Sequence, residues 1–195
     1  PEISMHTHSL AKYVDALNRN DQQSVAKLML SSANKLKQAG SDFLICPDNT
    51  IHLAFSHMIN SSPLPWLHIA EVVAQQALKL GYSKLGILGT RWLVESQVYP
   101  EKIDELGLQY LRPNLEERTE VSRIIMEELV YGKCLPDSIK YYQALITSLK
   151  QKACDAVVLA CTEIPLIIND ENSPLPTLNS NQLLARAAIA KACQA

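Results

Sequence analysis

The stretch Cys154-Asp155-Ala156-Val157-Val158-Leu159-Ala160-Cys161-Thr162-Glu163-Ile164-Pro165 decides the fold. Ala156 to Ala160 is a short apolar run with β-branched residues at its centre, the composition of a strand covered on both faces. The run stops at Cys161. Thr162, Glu163 and Pro165 then read as a helix start, with Thr162 as the cap and Pro165 in the first turn. Open α/β sheets bind ligands beyond the carboxyl ends of their strands. A thiol placed there, facing free helix amides, is expected to have its thiolate favoured.

The same device occurs earlier. Leu36-Lys37-Gln38 and Leu149-Lys150-Gln151 are each followed by an aspartate four residues after the glutamine, an apolar strand and a polar turn. A constant offset of 113 pairs Leu36 with Leu149, Asp42 with Asp155 and Asp48 with Cys161. A second echo, at an offset of 111, pairs Ser62-Pro63-Leu64-Pro65-Trp66-Leu67 with Ser173-Pro174-Leu175-Pro176-Thr177-Leu178. Two echoes in the same order indicate a duplicated half. The duplication puts Asp48 and Cys161 at equivalent positions of two lobes.

Strand and helix signals alternate outward from these anchors. Strands are expected at Pro1–Leu10, Phe43–Cys46, Pro65–Ile69, Lys84–Leu88 and Leu108–Leu111. Helices are expected at Leu10–Asn18, Asp21–Ala39, Ile51–Ile59, Ala70–Leu80, Leu93–Leu106, Arg118–Tyr131 and Ile139–Lys152. The pattern predicts an α/β fold of two pseudo-symmetric lobes with mainly parallel sheets and a site in the cleft between them. Residues 1–82 form the first lobe, 83–177 the second, and 178–195 a C-terminal helix that the first lobe can receive. The second half opens with strand Lys84–Leu88 and helix Leu93–Leu106, for which the first half has no counterpart. Roughly 25–30 residues are therefore expected to precede Pro1.

Bulk properties narrow the function. The chain has 195 residues, 47% of them apolar, which is enough for a sizeable core. Net charge is −2 and there is no long basic run, so no nucleic-acid partner is expected. No apolar stretch approaches the ~20 residues of a membrane span, so no membrane partner is expected either. Five cysteines, an odd count, fit reduced thiols in a cytoplasmic protein.

Two acid/base groups at equivalent ends of two lobes face each other across a cleft. One can remove a proton from one face of a carbon while the other delivers a proton to the opposite face, and the carbon inverts. Asn49, Thr50 and Thr162, with neighbouring amides, are candidates to hold a carboxylate and an enolate-like intermediate. Thr90 and Arg91 follow a strand end and are candidates for a carboxylate contact. His6 and His8 share a strand face in a spacing that can bind metal. No third and fourth ligands follow, so no metal is expected, and His8 is instead a candidate to line the cleft. His52 is expected to pack behind its turn, Glu127 and Glu128 to form a solvated face, and Cys134, Cys154 and Cys193 to be incidental.

These residues carry a resemblance. Cys161-Thr162-Glu163-Ile164-Pro165, Asp48-Asn49-Thr50-Ile51-His52 and Gly86-Ile87-Leu88-Gly89-Thr90-Arg91, with Ser96 and Tyr99 behind them, resemble the aspartate/glutamate/hydantoin racemase family over nearly the whole chain. The resemblance implies a cofactor-independent amino-acid racemase (without pyridoxal phosphate), acting on acidic or related amino acids and forming a homodimer. It implies Asp48 and Cys161 as the paired bases, with Asn49, Thr50, Thr90, Arg91, Thr162, Glu163 and His8 around the substrate. The family usually has cysteine at both base positions, and here the first is Asp48. Cys46 is not expected to replace it, because Pro47 intervenes and the register differs. Asn179-Ser180-Asn181 and Leu184 stand where many members have Asp-Thr and a later His. A single-thiol decarboxylase and a non-catalytic carboxylate-binding homologue are the alternatives.

Overall fold

A computed structural model describes residues 1–194. In chain order come α1 (Leu10–Asn18), α2 (Gln22–Gln38), β1 (Leu44–Ile45), a 3-10 helix at Thr50–His57, β2 (Trp66–Leu67) and α3 (Ile69–Lys79). There follow β3 (Lys84–Leu88), α4 (Arg91–Glu95), α5 (Val98–Asp104), β4 (Gln109–Leu111), α6 (Leu115–Glu127), α7 (Pro136–Gln151), β5 (Ala156–Leu159), β6 (Thr177–Asn179) and α8 (Ser180–Ala192). Every strand pair is parallel, in a sheet β1-β2 and a sheet β4-β3-β5-β6.

All four residues of β5 are buried, because helices cover both faces of its sheet. Its side chains alternate between two cores. Val157 and Leu159 pack with Ile124, Tyr142 and Ile146 of α6 and α7. Ala156 and Val158 pack with Val73 of α3, Tyr99 and Ile103 of α5, and Leu178 of β6. Asp155 ties the amino ends of β5 and β3 together by accepting from the amides of Ser83 (2.7 Å) and Lys84 (3.1 Å).

The repeat read from sequence is a repeat of structure. Leu44 pairs with Trp66, and their counterparts under the two offsets, Val157 and Thr177, pair in the same register. Leu44 N donates to Pro65 O and Val157 N to Pro176 O, both at 2.9 Å. The two Ser-Pro-Leu-Pro turns fold alike, with Ser62 Oγ donating to Leu64 O (2.8 Å) and Ser173 Oγ to Leu175 O (2.6 Å). The helices that come next, α3 and α8, start at equivalent residues and pack against each other across the lobe boundary.

Several expectations need correction. Residues 1–9 form no strand. The equivalent β4 exists by pairing with β3, whereas residues 1–9 pair with no strand and leave Ile3 and Met5 85% and 87% exposed. The Leu93–Leu106 helix is two helices. Ser96 is extended, and its hydroxyl ends α4 on Leu93 O (2.7 Å) and accepts from Val98 N (3.2 Å) as α5 begins. The expected helix at Arg118 starts earlier, at Leu115, because Asn114 and Glu117 form a reciprocal capping box. Glu128 is not solvated. It is buried, accepts from Ser138 Oγ and pairs with Arg123 at 2.9 Å, pinning α6 to α7. Among the described residues no helix is long and apolar enough to cross a membrane.

Candidate active site

Asp48 lies three residues beyond β1, at the start of the Thr50–His57 helix. Its Oδ1 accepts from the Ile51 amide at 3.1 Å, and its carbonyl accepts from His52 Nδ1 at 2.7 Å. His52 is 2% exposed and sits behind this turn, beside Phe55 and His68. Burial lowers His52 to about 4, so the neutral ring supports the turn without adding charge. Burial pushes the Asp48 carboxyl up, the Ile51 and Thr50 amides oppose this, and the Glu163 carboxylate adds to the rise.

That direction has a consequence for stability. Below the ordinary aspartate value near 3.8, the folded and unfolded chains both carry the proton, and burying Asp48 has no charge penalty. Above the raised folded value the folded chain carries a charge that partial burial disfavours. Asp48→Asn keeps an oxygen for the Ile51 amide and removes that charge. It is expected to raise the melting temperature at pH 7, with the gain shrinking as the pH falls towards about 4. Thermal denaturation across that range checks this, and a gain that does not change with pH contradicts it.

Cys161 is 9% exposed at the carboxyl end of β5. Its thiol donates to Glu163 Oε2 at 2.9 Å, and the Thr162 hydroxyl donates to the same oxygen at 2.6 Å. The expected capped helix does not form. Only a single 3-10 turn, Ile164–Leu166, succeeds the strand, and Thr162 caps nothing. The thiol accordingly moves opposite to expectation. Burial raises it strongly, the hydrogen bond to Glu163 and that carboxylate's charge raise it further, and Asp48 contributes in the same direction. Asp48 and Cys161, from different lobes, thus lie within electrostatic reach of each other, with Glu163 between their influences. Cys46 is half-buried, and its thiol is likewise pushed up by burial, to about 12.

Two hydrogen-bonded links hold the lobes in register around this pair. The Thr50 and Thr90 hydroxyls meet at 3.0 Å, and Thr90 also caps α4 through the Leu93 amide. Asn49 is buried, donates to Ser180 Oγ at 3.0 Å and accepts from the Tyr99 hydroxyl at 2.7 Å. Ser180 in turn donates to Leu159 O at 2.9 Å, two residues before Cys161. Asn49 thus joins the two strand ends rather than offering its amide to the cleft. Ser180 and Tyr99 were not legible as partners of Asn49, since nothing local places them together. Tyr99→Phe leaves the buried Asn49 oxygen without its donor. Chemical denaturation is expected to show a loss of about 1–3 kcal/mol.

The remaining candidates lie elsewhere. Arg91 bonds Glu95 through Nε at 3.1 and 3.2 Å, with a side chain 60% exposed, so it is not brought to the pair. His8 stacks edge-on with His6 at 4.8 Å, and the charges that reach it are His6, Lys35 and Lys12 on the α1–α2 side. Burial lowers its basicity first, and those neighbours lower it further. His6 engages Ser32 at 3.0 Å and Lys35 at 2.9 Å through its two nitrogens. Surface grooves are lined by Leu17, Asp21, Leu53, Trp92 and Glu95, and neither Asp48 nor Cys161 lines them.

Comparison with known proteins agrees with this architecture. The Asp/Glu/Hydantoin racemase profile matches residues 1–188. A broad specificity amino-acid racemase, RacX, of Bacillus subtilis is 23% identical over 172 residues, covering 87% of this chain and 73% of that protein. A glutamate racemase of Listeria monocytogenes is 27% identical over 157 residues, covering 75% of this chain; the chain spans 54% of that protein's length. Among solved structures, an aspartate racemase homologue from Pyrococcus horikoshii superposes with a TM-score of 0.86 at 27% identity, over 99% of this chain and 84% of its own.

Proposed function

This chain belongs to the Asp/Glu/hydantoin racemase family, and from that premise we propose that it is an isomerase inverting the α-carbon of an amino acid without a cofactor, by proton transfer between Asp48 and Cys161. The observation that supports the reading is the equivalence of these two groups: a duplicated strand pair in identical register ends near Asp48 in one copy and near Cys161 in the other. In the resting pair Asp48 is the base and Cys161 holds its proton. Asp48 takes the α-proton from one face of the substrate. The electron pair left on the α-carbon delocalises into the carboxylate, and Cys161 delivers its proton to the opposite face. In the resting state the thiol proton is held on Glu163, which Thr162 also serves, and the Thr50 and Thr90 hydroxyls are candidate donors to the developing enolate. A homodimeric, cytoplasmic protein belongs to the same reading.

The direct test is conversion of a single enantiomer into the racemate by the purified full chain, monitored by chiral chromatography. Appearance of the opposite enantiomer supports the reading. Release of carbon dioxide from an aminomalonate-type substrate, with no inversion of any amino acid, replaces it with the decarboxylase.

A further inference from the structure

His52 and His68 are 2% and 7% exposed, and one buried nitrogen of each has no hydrogen-bond partner among the described residues. Their rings meet edge-on, with centroids 4.6 Å apart at 78°. Phe55 stacks on His52 at 5.8 Å and meets His68 edge-on at 4.8 Å, so aromatic faces clamp the pair. His52 Nδ1 lies 2.7 Å from the Asp48 carbonyl, which can only accept, so Nδ1 carries the ring proton. Nε2 of the neutral ring is then a bare lone pair, and it is the atom without a partner. The unpartnered nitrogen of the adjoining ring is His68 Nδ1. Leaving buried polar atoms unpaired is costly. The two satisfy each other when His68 holds its proton on Nδ1 and donates towards His52 Nε2, through a small ring tilt or one trapped water. Burial lowers both rings, His52 to about 4 and His68 to about 3, so both are neutral at pH 7.

The duplication shows that this pair belongs to one copy alone. Under the two offsets His52 corresponds to Pro165 and His68 to Asn179. Proline has no side-chain donor, and Asn179 caps α8 by accepting from the Gln182 amide at 3.2 Å. His68 occupies the same cap position at the start of α3, yet its side chain caps nothing. Its ring faces His52 instead. The copy that carries Asp48 thus has a support behind its turn that the Cys161 copy lacks.

We propose that His52 and His68 are positioning residues for Asp48. His68 fixes the tautomer and ring plane of His52. His52 holds the Asp48 carbonyl, and with it the turn in which the Ile51 amide orients the carboxylate. The inference rests on the racemase reading for the proton transfer that Asp48 performs.

The test compares His68→Phe with the parent full chain. Phenylalanine keeps the ring contacts with His52 and Phe55 and removes the donor. The kcat for inversion is expected to fall by about 10–10²-fold, the effect of a misplacement of ~1 Å, while KM stays nearly unchanged. Nitrogen-15 NMR of the histidine rings reads the cause. In the parent His52 should show a protonated Nδ1 and a bare Nε2, and in His68→Phe that single tautomer should be lost. His52→Asn, which keeps a donor where Nδ1 stood, should retain more of kcat than His52→Phe. Unchanged kcat in folded His68→Phe, equal kcat in the two His52 variants, or a parent His52 proton on Nε2 each overturn the proposal and leave the racemase reading standing. Inversion of no amino acid by the parent overturns the racemase reading instead. Carbon-13 NMR of the Asp48 carboxyl then decides the positioning role alone. Its titration midpoint should rise in His68→Phe, as the Ile51 and Thr50 amides that hold it down loosen, and an unmoved midpoint overturns the role.

Discussion

Cys161→Ala is expected to lower the rate of inversion by about 10²–10⁴-fold, the range typical for loss of a positioned proton donor. The substitution removes one sulfur from a site that is 9% exposed and packed within the β5–α6–α7 core, so the fold should persist. Loss of inversion should be accompanied by a retained partial reaction. Asp48 remains able to take the α-proton of the enantiomer that faces it and to return a solvent-derived one to the same face. In heavy water the variant should therefore exchange the α-proton of one enantiomer with retention of configuration. Chiral chromatography with mass detection separates the two processes. Inversion within a factor of a few of the parent rate means that Cys161 is not the second acid.

The second large effect concerns direction. Reference values of about 8.5 for cysteine and 3.9 for aspartate differ by about 4.6 units, or ~6 kcal/mol. The reverse reaction needs a Cys161 thiolate beside a protonated Asp48. Burial and Glu163 push both groups up, so the thiol is not lowered towards the carboxyl. The two enantiomers have equal free energy, so kcat/KM must be the same for both. The asymmetry must fall on kcat and KM together, with one enantiomer turning over faster and saturating later. Asp48→Cys replaces the mismatched pair with two thiols. It is expected to bring the two kcat values together, reducing their ratio by about tenfold or more. Full progress curves from each enantiomer provide the measurement. An unchanged ratio contradicts the assignment of Asp48 as a proton-transferring group.

The strands and the duplication were legible because burial on both faces leaves an unbroken apolar run, and because a copied half keeps its Leu-Lys-Gln and Ser-Pro-Leu-Pro punctuation. Lys84–Leu88 is a strand to its expected bounds. Asp48 and Cys161 were legible as strand-end residues for the same reason, since each stands just past the point where an apolar run breaks. The turns beyond the strands are less legible. Thr162 and Pro165 are good helix-start residues, yet their side chains serve a single turn, because Glu163 draws both Thr162 and Cys161 to itself. That reversed the expected effect on the thiol. Asn49 has the residue type of a ligand donor, and only the tertiary approach of Tyr99 and Ser180 gives it a different partner set. Arg91 has the right position in sequence, but the i,i+4 geometry of α4 turns it to Glu95. The strand expected at residues 1–9 shows the limit of alternation as a signal, since no strand there offers a ladder of hydrogen bonds.

If Asp48 and Cys161 act as a pair, the α-carbon–hydrogen bond is broken on one face of the substrate and remade on the other. Proton NMR of an amino-acid panel in heavy water, with the full-length protein, observes that bond itself. The α-proton signal should decay, the inverted product should carry solvent deuterium from its first appearance, and inversion should be lost in Cys161→Ala. An α-proton signal that persists across the panel, with the protein folded, would mean that the chain does not break this bond at all.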